Sequence, residues 1–180
     1  GLEGLVRQMP HASFPFIVSN YDFRDTVLHE KTLLYKVFDK AGIRVGVLGV
    51  GIELQGLVPE KLFGATQYLD PLDRATETAD LLRHEQKCDY IICLSHLGYR
   101  YAGDRIDDLK FAKGSRNIDL ILGGHTHTFM REPEVLSNQE GKPVIVNQVG
   151  WAGIMLGRID VHFEKNRPNR CVTCKNQVVR

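Results

Sequence analysis

The 180-residue chain has little net charge and no long apolar run. Its formal charge is +1, with 23 Lys and Arg against 22 Asp and Glu. That balance gives no global field to attract nucleic acid or an anionic membrane. No apolar stretch approaches the ~20 residues that cross a bilayer as a helix. Internal repeats and low-complexity tracts are absent, so neither a solenoid nor a fibrous architecture is in view. Cysteine is sparse, at four. Cys88 and Cys93 flank and enter an apolar segment and read as buried free thiols. Cys171-Val172-Thr173-Cys174 would supply half of a structural zinc site; a local disulfide and a redox pair are the alternatives. What is present is ordinary for a globular protein: 43% hydrophobic and 25% charged residues. The length suits one domain with a sizeable core.

Taken in order, the chain alternates strand and helix signals. Leu2, Leu5 and Val6 have helical spacing. Phe14 to Val18 reads as a short strand closed by Ser19-Asn20, with Asn20 in a turn. Lys31 to Asp39 and Ile43 to Val50 read as a hairpin, the second strand broken near its end by Gly49 and Gly51. Leu57 to Leu69 is irregular with one helical turn. Asp70-Pro71 opens a helix running to about Lys87, since Asp70 can cap it and proline suits the first helical position. Ala75, Ala79 and Leu82 form its apolar stripe, and its charges read as a solvated face. Tyr90 to Leu94 is a strand, Gly103-Asp104 a helix start, and Ile106 to Lys113 a helix with Leu109 and Ala112 inward. Ile118 to Leu122, Val144 to Val146 and Gly153 to Phe163 are strands. Lys165 onward is polar and positive and reads as a tail or linker.

The chemistry concentrates in Ile118 to Arg131. An apolar strand ends in Gly123-Gly124, and His125-Thr126-His127 follow at once. The glycines permit a sharp turn or a close approach. Upstream, Tyr90 to Leu94 ends in Ser95-His96-Leu97-Gly98. Parallel α/β sheets carry their chemistry at the carboxyl ends of strands. Each histidine taken singly could merely cap or pack a loop. Together the three imidazoles from two strands form a candidate metal site, and neutral imidazole suits zinc, manganese, iron, nickel or copper. Strict alternation would point the rings of 125 and 127 apart, but a loop need not alternate. Arg100, in a glycine-bounded loop with Tyr99 and Tyr101, and Arg131 could each hold a phosphate through two donors. Surface stacking on a tyrosine is the competing reading for Arg100.

Gly123-Gly124-His125-Thr126-His127, preceded by Ile118-Asp119-Leu120-Ile121-Leu122 and with Ser95-His96-Leu97-Gly98 upstream, resembles the calcineurin-like metallophosphoesterases. It is most similar to their branch of 5'-nucleotidases, UDP-sugar hydrolases and 2',3'-cyclic phosphodiesterases. Phe14 to Asn20, Ile43 to Val50 and Val146 to Arg158 agree with that branch, so the resemblance spans about residues 1 to 163. The family's opening motifs, an Asp-x-His, a Gly-Asp and a Gly-Asn-His, do not occur here in the matching places. Asp160-Val161-His162 spells the first of them but lies after the histidine loop, in an alternating strand pattern, and is read as a strand.

The resemblance implies an α/β fold, part of a layered αββα sandwich with mixed sheets. Residues 1–163 would be the C-terminal half of the catalytic domain and 164–180 a polar tail or linker. It further implies two divalent metal ions such as zinc or manganese, with His96 and His125 on one and His127 on the other. The bridging carboxylate and the general acid would come from an N-terminal half absent from this chain. The expected activity is hydrolysis of a nucleotide or sugar-nucleotide phosphoester, weak or lost in this chain alone. Exposed core faces would favour self-association or pairing with the absent half. The resemblance also points to a periplasmic, cell-envelope or secreted location. A non-catalytic binding or regulatory module that keeps the fold is the competing reading.

Overall fold

The computed structural model describes residues 1–163 and 171–179. Its elements in chain order are α1 (Leu2–Gln8), β1 (Tyr21–Asp22), β2 (Tyr35–Lys40), β3 (Ile43–Gly51), α2 (Glu60–Phe63), β4 (Gln67–Tyr68) and α3 (Pro71–His84). There follow β5 (Tyr90–His96), α4 (Asp108–Gly114), β6 (Leu120–Leu122), β7 (Glu134–Ser137), β8 (Pro143–Asn147), β9 (Met155–His162) and β10 (Cys171–Val178). Six strands form one sheet in the order β2-β3-β5-β6-β8-β7. The four central strands are parallel, and the two outer ones pair antiparallel to their neighbours. The α/β class and the mixed sheet match expectation.

Local chemistry explains the helices. The Asp70 carboxylate accepts from the backbone N–H groups of Leu72 and Asp73, each at 2.9 Å, and Pro71 opens α3. The stripe of Ala75, Ala79 and Leu82 is fully buried against the sheet. Near the other end of α3, Arg83 is not solvated as its position among charges implied. Its guanidinium donates to the carbonyls of Cys88, Asp89 and Asn117 and pairs with Asp119 at 2.7 Å. Helix α4 begins later than expected. Asp107, not Gly103-Asp104, is its N-cap, accepting from Lys110 N–H at 2.8 Å.

Alternation divides each central strand between two faces. Ile91 and Cys93, with Leu48, Ile121, Val144 and Val146, face α3 and α4 in the main core. Tyr90, Leu120 and Ile145 face the other way and pack on Ile159, Val161, Phe163, Val172 and Cys174. Those last residues belong to the antiparallel β9–β10 pair or adjoin it. Part of the segment expected to be a tail is therefore a strand. Val172 and Cys174 alternate with polar neighbours, and covering a sheet face outweighs the overall polarity of the segment. Residues 164–170 and 180 lie outside the described residues, as does the Cys171 side chain; Cys88, Cys93 and Cys174 are free thiols.

Two other expectations change. The Phe14 to Val18 segment makes only a bridge, Ile17 to Leu33. Strand β3 continues through Gly49 and ends at Gly51. Those glycines serve close approach: a Cβ at 49 would meet the Ile17 carbonyl, and one at 51 the Tyr21 ring. Asn20 does more than turn the chain. Fully buried, it donates to the Gly51 carbonyl at 2.9 Å and accepts from Gly51 N–H at 2.8 Å. None of the helices among the described residues is long and apolar enough to cross a membrane.

Candidate metal centre

Strands β5 and β6 are parallel neighbours, with Leu94 opposite Leu122 in register. Their chains therefore leave the sheet side by side, and the residues just beyond them share one rim. His96 ends β5, and Gly123-Gly124 carries the chain past β6. The rings of His96 and His125 meet edge to face with centroids 5.1 Å apart, at an interplanar angle of 70°. His127 turns aside and stacks on Trp151, at 6.2 Å and 19°.

The glycines and histidines divide the work differently from expectation. Neither Gly123 nor Gly124 has positive φ; His125 and His127 do, at +71° and +53°. Gly123 is required because a Cβ there would overlap Asp108 Oδ2, and a Cβ on Gly124 would come within 3.2 Å of His96 Nδ1. The Thr126 N–H closes back onto the Gly124 carbonyl at 2.9 Å, a γ-turn centred on His125. Left-handed backbone costs a non-glycine residue about 1 kcal/mol. Two such residues in one loop need outside support.

That support comes from Gln148, at the end of β8 and 2% exposed. Its side-chain amide donates to the Gly124 carbonyl at 2.7 Å. Its oxygen accepts from the Thr126 hydroxyl at 3.0 Å and from the Thr128 N–H. The Thr126 hydroxyl in turn accepts from Tyr99 N–H at 2.9 Å, joining the loop after β5 to the histidine loop. Asn147 beside it exchanges paired amide hydrogen bonds with Asn176 of β10, at 3.0 and 2.7 Å.

The surroundings of His96 and His125 favour the neutral imidazole. His96 keeps much of its surface in solvent, yet protein packed on one side of the ring desolvates it enough to hold its pKa below the usual range, helped by positive charge on His125 and His127. His125 is lowered by burial, then by Arg105 and His127. Neutral imidazole is the form that ligates a metal. Beneath the loop, the Asp108 carboxyl is fully buried and accepts from the Ser95 hydroxyl at 2.5 Å. Its other oxygen has no hydrogen-bond partner. Burial raises its pKa to about 7.

The arginines are placed as follows. Arg100 is mostly exposed, lies over the Tyr99 ring at 5.4 Å and stands 3.9 Å from Glu134. Arg131 is exposed just before β7. Arg105, which sequence reasoning passed over, stacks on Tyr101 at 4.6 Å, and it is the guanidinium whose charge reaches His125. Asp160 of the Asp-x-His look-alike binds Arg158 on β9, away from the loop.

As a donor set, two neutral imidazoles from adjacent strands can share one cation. Among the described residues, no three His, Cys, Asp or Glu side chains are grouped closely enough to hold a metal. The histidines thus fit as contributors to a metal site, not as a whole one.

Comparison with known proteins identifies the family. No family model matches the chain. The trifunctional nucleotide phosphoesterase YfkN of Bacillus subtilis is 36% identical over 133 residues, covering 73% of this chain and 8% of that protein. A 5'-nucleotidase of Vibrio cholerae is 29% identical over 191 residues, covering 93% of this chain and 34% of the enzyme. Among solved structures, a 5'-nucleotidase precursor from Thermus thermophilus superposes with a TM-score of 0.80 at 26% identity, over 97% of this chain and 35% of that one. The chain belongs to the calcineurin-like metallophosphoesterases. Within them it is a relative of the 5'-nucleotidases. It spans between 8% and about a third of the length of these relatives.

Proposed function

We propose that this chain supplies His96, His125 and His127 to the divalent-metal centre of a nucleotide phosphoester hydrolase. The observation that carries the reading is the edge-to-face meeting of His96 and His125 at 5.1 Å, on the rim where β5 and β6 end. His96 and His125 would serve one cation and His127 a second, zinc or manganese being suited to such donors. A cation held there would polarise the phosphoryl oxygens and acidify a bound water. The chain's own residues do the rest of what is proposed here. The histidine loop, held by Gln148, would keep the three imidazoles oriented. Arg105, Arg100 and Arg131 offer guanidinium groups to phosphate oxygens, Arg105 being the one whose field reaches His125. The remaining ligands, including a carboxylate to balance the cations, would come from sequence outside these 180 residues. That contribution would also cover the exposed apolar residues Leu94, Leu122 and Phe129 near the same rim. Alone, the chain would hydrolyse poorly and tend to self-associate.

The substrate in the whole protein would be a nucleotide or sugar nucleotide, and the setting periplasmic, cell-envelope or extracellular. The test is 5'-AMP hydrolysis by the longer protein containing these residues, with and without His125→Ala. The variant should lose about a thousandfold in kcat/KM, several kcal/mol of transition-state stabilisation. Unchanged turnover would sink the assignment. A second reading, a binding module without catalysis, rests on the lack of a three-donor group among the described residues. Nucleotide binding without hydrolysis by that same longer protein would favour it.

A further inference from the structure

We propose that Gln148 is the positioning residue of the histidine loop. Its one buried carboxamide holds Gly124, Thr126 and Thr128, and so fixes the left-handed backbone that aims His125 and His127. The inference rests on the reading of that loop as metal-holding, and it adds a residue that reading does not contain.

Three observations carry it. First, the amide can face only one way. Its oxygen meets the Thr128 N–H, which can only donate, and its nitrogen meets the Gly124 carbonyl, which can only accept. Second, its contacts bracket both histidines: 124 precedes His125, 126 separates the two, and 128 follows His127. The bracketed backbone is the part with φ of +71° and +53°. Third, Gln148 is 2% exposed, so water has little access to replace those bonds. The residue is itself anchored. Its N–H points at Met130 Sδ at 3.2 Å, and its carbonyl accepts from Met130 N–H at 3.2 Å. Through Thr126 and the Tyr99 N–H, the same network reaches the loop that follows His96. One side chain therefore sets the spacing between the two histidine-bearing loops.

The experiment uses the 180-residue chain and two readouts. Ring-proton NMR of the metal-free chain reports loop geometry without any metal. Trp151, the single tryptophan, stacks on His127, so quenching of its fluorescence by Co2+ reports a cation arriving there. Gln148→Met keeps the volume and removes all three bonds. It should move or broaden the His125 and His127 ring signals and leave His11 and His29 unchanged. It should also raise the Co2+ concentration for half-quenching by about 10–100-fold, the range typical of losing an outer-shell support. Thr126→Val, nearly isosteric, carries the test if Gln148→Met does not fold. It should shift the same signals and raise the half-quenching concentration about tenfold, the low end of that range. Asn138→Ala removes a different buried amide, in the β7–β8 turn. It should lower the melting temperature and leave both readouts alone.

Unchanged ring signals in a folded Gln148→Met or Thr126→Val chain would overturn the proposal. So would an equal shift of the histidine signals in Asn138→Ala. Shifted ring signals in the variants, with no Co2+ quenching in the parent chain, would uphold the positioning role while refuting the metal reading.

Discussion

At the amino end of the parallel strands, Arg83 reaches from α3 into a cluster of carbonyls. Asp119 there accepts from both Arg83 and the Ile91 N–H, each at 2.7 Å. Asp89 accepts from the Arg44 N–H at 2.8 Å. Helix, loop and strand starts are tied by charged groups that are all paired. At the carboxyl end, His96 and His127 are exposed, Leu94 and Leu122 stand partly open, and the backbone is left-handed at two histidines. Support there comes from neutral amides set one layer down: Gln148, Asn147 and Asn20. The contrast teaches where each job is done. The amino end stabilises the sheet. The carboxyl end holds the histidines in a strained backbone, and buried amides offset that strain.

The first way to break the comparison is to remove the amino-end lock. Arg83→Met should cost about 3 kcal/mol in urea unfolding, because several carbonyls and Asp119 lose their donor together. The His96–His125 geometry, followed by ring NMR of the folded variant, should not move. A parallel loss of both would show that the two ends are not separable.

The second concerns pH. Asp108, beneath the histidine loop, has a folded pKa of about 7 against the ordinary 3.8. Below the ordinary value the carboxyl is protonated whether the chain is folded or not, and its contribution is intact. As pH rises from about 4 towards 7, the unfolded chain ionises while the folded one holds its proton, so stability falls. The slope approaches roughly 1.4 kcal/mol per pH unit, for a total of roughly 3–4 kcal/mol over that interval. Asp108→Asn should flatten that limb of the stability profile. An unaltered limb in the variant would assign the pH dependence elsewhere.

The smallest effect belongs to the start of α3, beside Leu69, whose N–H donates to the Asn20 carbonyl at 3.0 Å. Asp70→Ala, which removes the cap of α3, should cost about 1 kcal/mol and leave both clusters as they are. A change in histidine ring signals on losing this cap would show that the start of α3 is coupled to the histidine loops.

How much of this was legible beforehand follows from the range of each interaction. The strand-helix-strand order, the Asp70-Pro71 helix start and the histidines beyond β5 and β6 rest on neighbours in sequence, and periodicity exposes them. The β7 strand is short, with alternate residues exposed, and offers little pattern. β10 was hidden by its polar residues, and it is a strand because β9 and the sheet face accept it. The division of labour in the loop was not legible at all. Gly123-Gly124 looked like the residues needing unusual backbone, yet the histidines take it. The reason lies 24 residues on, in the Gln148 amide. Arg83 and Arg105 were passed over for the same reason: each acts through distant partners that no local pattern marks.

The most direct test is a Zn2+ titration of the chain followed by the ring signals of its seven histidines. The account predicts that His96, His125 and His127 shift together, while His11, His29, His84 and His162 hold still. Shifts spread evenly over all seven, or none at 96, 125 and 127, would contradict it.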